Sequence, residues 1–510
     1  MGRAETLMSG ALVRRALGVV AVLALLVTGI AWALASPTGG TADETYHLAS
    51  IWCPRPIDSS GCQTRFVDGE KEILVPAKIA PRDPCFARNS GKTAECTLSL
   101  SDSELVYSNR YDDGNYPYGY YQLHHHLIGQ DVDRSVMVIR VVNLLISLSL
   151  LGGVSVLLPS RLRQGFALAL LIAWVPMGVY YVASVNPSGW ALTGVMTYAA
   201  AFLGATQVTG RRRWLLLVFA ALGALLCFLS RADASFFVLV VTLGVLGCVP
   251  WGKRDLWPLG IGGVLSVVGV IVMLGTGQAH QSGNILKITP AHSVAYAVGK
   301  CILSIPTFVG ELYGHTWGAG SGDVPFGDAI TVTVLAMVGM AIAFGAQEVS
   351  LRKIVSVAIL VGALIGIPFV VALQNHWEGL QYYHGRYQLP LLAVVYMVWF
   401  FSDGREFRVS RPQVVLVVIF AGLIHSLTLR TILYRYVHGY DDPVAALIEN
   451  LNLNVTWWRN IPISPMGVWI VGSIAFPIAV IAGLWLVRRG VSASEGSGLP
   501  ARLEDPAVTA

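Results

Sequence analysis

The 510-residue chain has a hydrophobic fraction of 54%, a charged fraction of 13% and a net charge of +5. Soluble domains carry roughly 25% charged residues, so this composition excludes a soluble globular protein and points to a polytopic membrane protein. Basic residues fall in short runs between apolar segments, and no run is long enough for nucleic-acid binding, which excludes nucleic acid as a partner.

At the N-terminus, Arg3, Arg14 and Arg15 accompany an apolar run from Leu12 to Ala35. The run is too long for a signal-peptide core and suits a spanning helix, so residues 1–35 read as a cytoplasmic N-terminus and a retained signal anchor. Hydropathy then predicts spans near 13–35, 135–158, 164–184, 188–209, 214–230, 234–250, 256–275, 328–346, 354–373, 388–402, 412–431 and 466–487. The predicted fold is an all-α polytopic membrane protein of about 12 transmembrane helices. The fifth and sixth spans are short, and that pair suits a re-entrant hairpin as well.

Charge tests the count. With the N-terminus inside, the inside turns hold Arg161/Arg163, Arg211-Arg212-Arg213, Lys253-Arg254, Arg352-Lys353, Arg405/Arg408/Arg411 and Arg488-Arg489. Every one is basic, as the positive-inside rule requires. The predicted organisation is an extracytoplasmic loop over 36–134, spans two to seven over 135–275, a second extracytoplasmic loop over 276–327, and spans eight to twelve over 328–487. Residues 488–510, rich in Ser, Gly, Ala and Pro, read as a disordered cytoplasmic tail.

Cys53, Cys62, Cys85 and Cys96 all fall in the first outside loop, as expected for two disulfides in an oxidising compartment. Three connectivities are possible. Local pairs, Cys53–Cys62 and Cys85–Cys96, close the shortest loops at least entropic cost. A zinc site is the weaker alternative, because no tight C-x-x-C pair is present.

The first outside loop opens on Asp43-Glu44-Thr45-Tyr46-His47, within about ten residues of the first span, and ends on a tyrosine-rich run that includes Tyr116 and Tyr120, followed by His124-His125-His126. Carboxylates at that mouth can act on one substrate while the tail of another stays in lipid. Acidic residues outside a span are also common without any function. The tyrosines suit either an interfacial belt or a platform stacked on sugar faces. Three consecutive histidines on a helix point about 100° apart and cannot all bind one metal. Ser230-Arg231-Ala232-Asp233 interrupts the apolar stretch between spans five and six and offers a structural ion pair or a phosphate contact. The segment from about 291 to 317 looks amphipathic and suits a surface-lying lid or guide. A later outside loop holds Trp377-Glu378, then His384-Gly385-Arg386-Tyr387. Arg386 at headgroup level suits a lipid-linked phosphate through its forked donors, or simple snorkelling. His425 is the conspicuous polar residue of span eleven and suits a packed histidine with a hydrogen-bond partner.

The chain lacks a P-loop, a G-x-G-x-x-G after a strand, an H-E-x-x-H and a G-x-S-x-G elbow, which argues against ATP-driven transport by this chain alone.

One span, a long outside loop opening on an acidic residue, then many spans with short basic inside turns: this arrangement resembles the GT-C superfamily of integral-membrane glycosyltransferases. Within it, the chain looks like an uncharacterised bacterial membrane family marked by D-E-x-x-H and G-R-Y-x-x-P, here Asp43-Glu44-Thr45-Tyr46-His47 and Gly385-Arg386-Tyr387-Gln388-Leu389-Pro390. Tyr116-Pro117, Arg140-Val141-Val142-Asn143 and Asn186-Pro187 add to the likeness.

The resemblance implies a polyprenyl-phosphate-sugar donor, with arabinofuranose as the candidate sugar, a glycan or glycolipid acceptor, and an inverting transfer at the outer face of a bacterial plasma membrane. Asp43 is then the expected general base, and Glu44 orients the acceptor, holds a divalent cation (Mg, Mn or Ca) or exchanges roles with Asp43. Arg386 and His384, with Arg231 behind them, would neutralise the leaving phosphate. His47, Tyr116, Tyr120, Trp377, Glu378 and Tyr387 are the expected substrate contacts. The competing readings are a lipid-linked-sugar flippase and a non-catalytic cell-envelope subunit.

Overall fold

The computed structural model describes residues 2–81, 84–277, 293–402, 407–440, 442 and 444–495. Arg405 and the expected tail from residue 496 onward lie outside the described residues.

Eight described helices are long and apolar enough to cross a membrane: Leu12–Ala35, Val132–Leu157, Gly210–Ser230, Leu256–Leu274, Asp328–Gly345, Leu351–Gln374, Arg411–His438 and Pro465–Val487. Each coincides with a predicted span. The other four predicted spans are helical but fall short as lipid-facing elements. The 164–184 stretch is divided at Val175-Pro176 into Ser160–Trp174 and Met177–Val182. The 234–250 stretch yields the 17-residue helix Ala232–Cys248, and 388–402 yields the 11-residue helix Leu389–Trp399. The helix over 188–209, Pro187–Thr206, is long enough but buried along almost its whole length, as is Leu389–Val398. That is the physical reason for the difference. A helix sheathed by other helices has its surface satisfied by protein, so neither high hydropathy nor a full bilayer length is demanded of it.

The 276–327 segment also departs from a simple loop. Val294–Leu303 and Ile305–Glu311 form a pair bent by 51° that together meet the length and composition of a span, broken or re-entrant. Counted as one, it raises the total to 9 among the described residues.

The helices are labelled here as α1 (Gly2–Ala35), α2 (Glu44–Trp52), α3 (Gly119–His125), α4 (Val132–Leu157), α5 (Ser160–Trp174), α6 (Met177–Val182), α7 (Pro187–Thr206), α8 (Gly210–Ser230) and α9 (Ala232–Cys248). The bundle core is α7, packed on α4, α8 and α9. Its closest approach is at Gly194 and Gly223, where an added Cβ at either would lie 2.6 Å from backbone of the facing helix.

The basic turns gather at one end, where Arg212 donates to the carbonyls of Leu157 and Leu158 and Arg213 pairs with Asp255. At the other end stands a small unit that the all-α expectation did not include. Strands β1 (Thr64–Val67), β2 (Glu70–Pro76) and β3 (Leu105–Ser108) form an antiparallel sheet in the order β1-β2-β3. The β1–β2 connection is Asp68-Gly69, with φ of 51° and 83°, the two-residue turn with both φ positive that fits the twist of a hairpin. Ile73 and Val75 on β2 are fully buried, which sets its register. Disulfides join Cys53 to Cys62 and Cys85 to Cys96, the local pairing. Cys227, Cys248 and Cys301 are buried and take no part in a disulfide.

Candidate active site

The site is built on the turn that follows α1. The carbonyls at the end of α1 have no helical partner and carry the negative end of its dipole. Two arginines cap them. Arg140 on α4 donates to the carbonyls of Ala33 (2.6 Å), Ser36 (2.7 Å) and Pro37 (3.0 Å), and Arg459 reaches the Ser36 carbonyl at 2.7 Å. Arg140 also grips both oxygens of Glu44 at 2.8 Å, and both side chains are fully buried. Asn186 donates to the Ala42 carbonyl at 2.7 Å, and the Tyr436 hydroxyl donates to that of Gly40.

So tightly held, the turn passes through Asp43 in the left-handed region, at φ 53°. Aspartate tolerates that region better than most residues, but it is strained backbone of the kind that functional sites retain. The result separates the two acids. Glu44 turns inward to Arg140 with its carboxylate fully enclosed, so the expectation that it orients an acceptor or holds a cation does not fit its position. Asp43 turns outward, with 39% of its side chain exposed.

Asp43 meets groups from distant parts of the chain. Arg386 Nη2 lies 2.6 Å from its Oδ2, and Arg110 Nη2 lies 3.3 Å from its Oδ1. Arg386 sits in a short 3-10 turn whose Gly385 presses on Glu311, where a Cβ would come within 2.7 Å of backbone. Arg386 also donates to the Tyr387 hydroxyl at 3.1 Å and lies near Tyr181 on α6. The Tyr387 ring is flanked by two guanidiniums, Arg231 at 4.6 Å and Arg386 at 5.0 Å. Arg231 is held by a two-pronged ion pair with Asp233, at 2.8 and 2.7 Å, and lies 5.7 Å from the Tyr116 ring. His47 meets the Tyr121 hydroxyl at 3.0 Å, and the His384 ring packs on Trp317 at 4.7 Å.

Electrostatics follow from that crowding. Burial raises the Asp43 pKa, but Arg386 foremost, then His47, Arg110 and His384, more than offset it and hold the carboxyl well below the usual range. Burial pushes His47 down to about 3, with Arg231, Arg386 and Arg110 adding to the fall against Asp43. His384 falls to about 3 through burial and Arg386. Both imidazoles are therefore neutral near pH 7. In this state His384 can offer a phosphate a hydrogen bond.

Of the other expected contacts, Tyr116 and Tyr387 line the cluster. Tyr120 does not: it is fully buried, with Trp190 edge-on at 5.1 Å and an Asn143 hydrogen bond at 3.3 Å. Trp377 packs against Tyr382 in a separate turn, whose Glu378 carbonyl accepts from Gln381. His124 bonds Asn143, and His125 bonds the Ile51 carbonyl, so these two serve packing. His425 accepts from Trp32 at 3.2 Å and stacks on Phe476, the packed histidine expected of it. Among the described residues no group of three His, Cys, Asp or Glu side chains is placed to hold a metal ion. The two guanidiniums touching Asp43 would oppose a cation there.

Sequence reasoning missed Arg110, Tyr181, Trp317, Tyr436 and Arg459. It noted Arg140 without its partner, although an arginine inside an apolar span demands one.

A family described as predicted membrane protein (DUF2142) matches residues 26–395, most of the chain. The chain belongs to this family. No curated protein and no solved structure matches it. The DUF2142 segment contains Asp43, Arg110, Arg231 and Arg386, whereas Tyr436 and Arg459, which pin the acidic turn, lie beyond it.

Proposed function

We propose that this DUF2142 protein is an inverting glycosyltransferase that moves a sugar from a polyprenyl-phosphate donor to a glycan or glycolipid acceptor. Its site would face the extracytoplasmic side of a bacterial plasma membrane. The observation that carries the reading is the Asp43–Arg386 pair. It sets an open carboxylate against guanidiniums and aromatic rings, as a reaction needs that makes an oxyanion on a lipid phosphate and takes a proton from a hydroxyl. Two disulfides at this end and basic turns at the other support the sidedness. An apolar crevice of about 340 Å³ between α1, α4, α5, α6 and the helix Pro465–Val487, lined by Leu144, Trp174, Val182 and Phe476, is suited to a prenyl tail.

In this mechanism the acceptor hydroxyl attacks the anomeric carbon as Asp43 takes its proton. The bond from that carbon to the phosphate oxygen breaks, and the phosphate leaves with the electron pair, stabilised by Arg386 and Arg231. While Arg386 grips Asp43, the carboxylate is a poor base. A donor phosphate that draws Arg386 to itself removes the largest influence holding the carboxyl down, so donor binding prepares the base. Arabinofuranose is the proposed sugar.

The test is transfer of labelled sugar from polyprenyl-phosphate donors to glycan by the full-length protein in lipid vesicles, wild type beside Asp43→Asn. Transfer by the wild type and its loss in the variant is the expected result. Movement of labelled lipid between leaflets without transfer would replace the reading with a flippase.

A further inference from the structure

The disulfide-bearing unit carries a groove outside the Asp43 cluster. It consists of two adjoining hollows of about 700 Å³ and 580 Å³ that share Lys71 and Asp113. The first is bounded by the β1–β2 hairpin and by Asn109, Arg110 and Tyr111, and it also includes Tyr46. The second runs on between Arg55, Asp58 and Tyr118. Each hollow is of a size that holds a small organic ligand.

The lining is distinctive in three ways. Phe66 and Tyr118 stand 71% and 61% exposed, one at each hollow, although large rings in a small folded unit are ordinarily covered. The charges cancel: Asp58, Glu70 and Asp113 stand against Arg55, Lys71 and Arg110. Several are already engaged, Lys71 with Asp58 at 2.7 Å, Arg55 with Asp112 at 3.0 Å and Asn109 with Glu70 at 2.8 Å. The walls are also rigid. Cys53–Cys62 brackets Arg55 and Asp58, and the Tyr111 hydroxyl donates to the Lys71 carbonyl at 3.0 Å.

Exposed rings that present flat apolar faces, set among polar and charged side chains whose charges sum to zero, match a ligand with apolar C–H faces and many hydroxyls. A polyanion would call for a surplus of positive charge. The groove also leads to the chemistry. Arg110 lines the first hollow and touches Asp43, and Tyr46, which lines it too, adjoins His47.

We propose that this groove is the acceptor site and binds a neutral glycan chain, whose end it delivers to Asp43. The proposal rests on the transferase reading for the delivery step, though not for the binding itself. It also accounts for the cysteine-bearing segment, which holds Arg55 and Asp58 in the wall of a sugar-binding surface.

The experiment is equilibrium binding of linear arabinan, mannan and galactan hexasaccharides to the full-length protein in lipid nanodiscs. At least one hexasaccharide should bind with a Kd of about 1 mM or tighter. The double variant Phe66→Ala/Tyr118→Ala, confined to exposed side chains, should weaken it by about tenfold or more, while Asp43→Asn leaves it unchanged. In the transfer assay the double variant should raise the acceptor KM and leave kcat near the wild-type value. Failure of all three hexasaccharides to bind the wild type, or binding that survives the double substitution, overturns the proposal. Preferential capture of polyglutamate in the groove overturns it as well. Hexasaccharide binding at the groove in a protein with no transfer activity would sink the transferase reading alone.

Discussion

Two arginine–carboxylate pairs lie one residue apart in the turn after α1, and they do opposite things. Arg140 and Glu44 have no exposed side-chain surface, and Arg140 also donates to the carbonyls of Ala33, Ser36 and Pro37. Arg386 and Asp43 are 14% and 39% exposed, and the shorter of Asp43's two arginine contacts, 2.6 Å, lies where an outside ligand can reach it. The chemistry of the groups is the same. What differs is whether an outside ligand can compete, and that turns one pair into scaffold and leaves the other available for reaction.

Substitution should pull the two pairs apart. Asp43→Asn should lower sugar transfer by about 10²–10⁴-fold while costing less stability than loss of the fully buried pair, because Asp43 is 39% exposed. Kinetics and thermal unfolding on one preparation check both. Glu44→Gln should do the reverse first: it leaves Arg140 buried without its counter-charge and should cost about 3–5 kcal/mol, read as a lower Tm in lipid or detergent. Equal Tm values for the two variants would erase the distinction.

Acid should expose the neutral histidines of the open cluster. His47 has a folded pKa of about 3 against an ordinary value of 6.5. In that window the unfolded chain binds the proton and the folded one does not, so stability falls as pH drops from about 6.5 towards 3. At pH 5 this amounts to about 2 kcal/mol, and His47→Gln should flatten the slope of stability against pH. The smallest effect is expected from Arg386→Lys. Charge is kept and the fork is lost, so donor KM should rise about tenfold, with little change in Tm. A variant that binds donor as well as wild type would detach Arg386 from the phosphate.

What was legible in the sequence follows the range of the interactions. The eight long apolar helices and the local disulfides depend on neighbouring residues, and they lie where the sequence predicts them. The helix α7 was expected only as one span among twelve, because hydropathy cannot say what covers a helix. The sheet went unseen, although Asp68-Gly69 between two short strands is a hairpin signal; the surrounding segment lacks the long apolar stretches that mark the other elements. At the site, Asp43 and Arg386 were singled out by their motifs. Their direct contact spans 343 residues, and a separation of that kind leaves no local trace. The fate of Glu44 was illegible for the same reason, since Arg140 stands 96 residues away.

The acidic turn depends on parts of the chain made very late. Tyr436 and Arg459 hold Gly40 and Ser36 across separations of 396 and 423 residues. During synthesis the first loop must therefore wait on its membrane surface, disulfides available, while most of the remaining helices are inserted. The turn that carries Asp43 cannot reach its final geometry until translation is nearly finished, so a chain that stops early lacks the contacts that shape it.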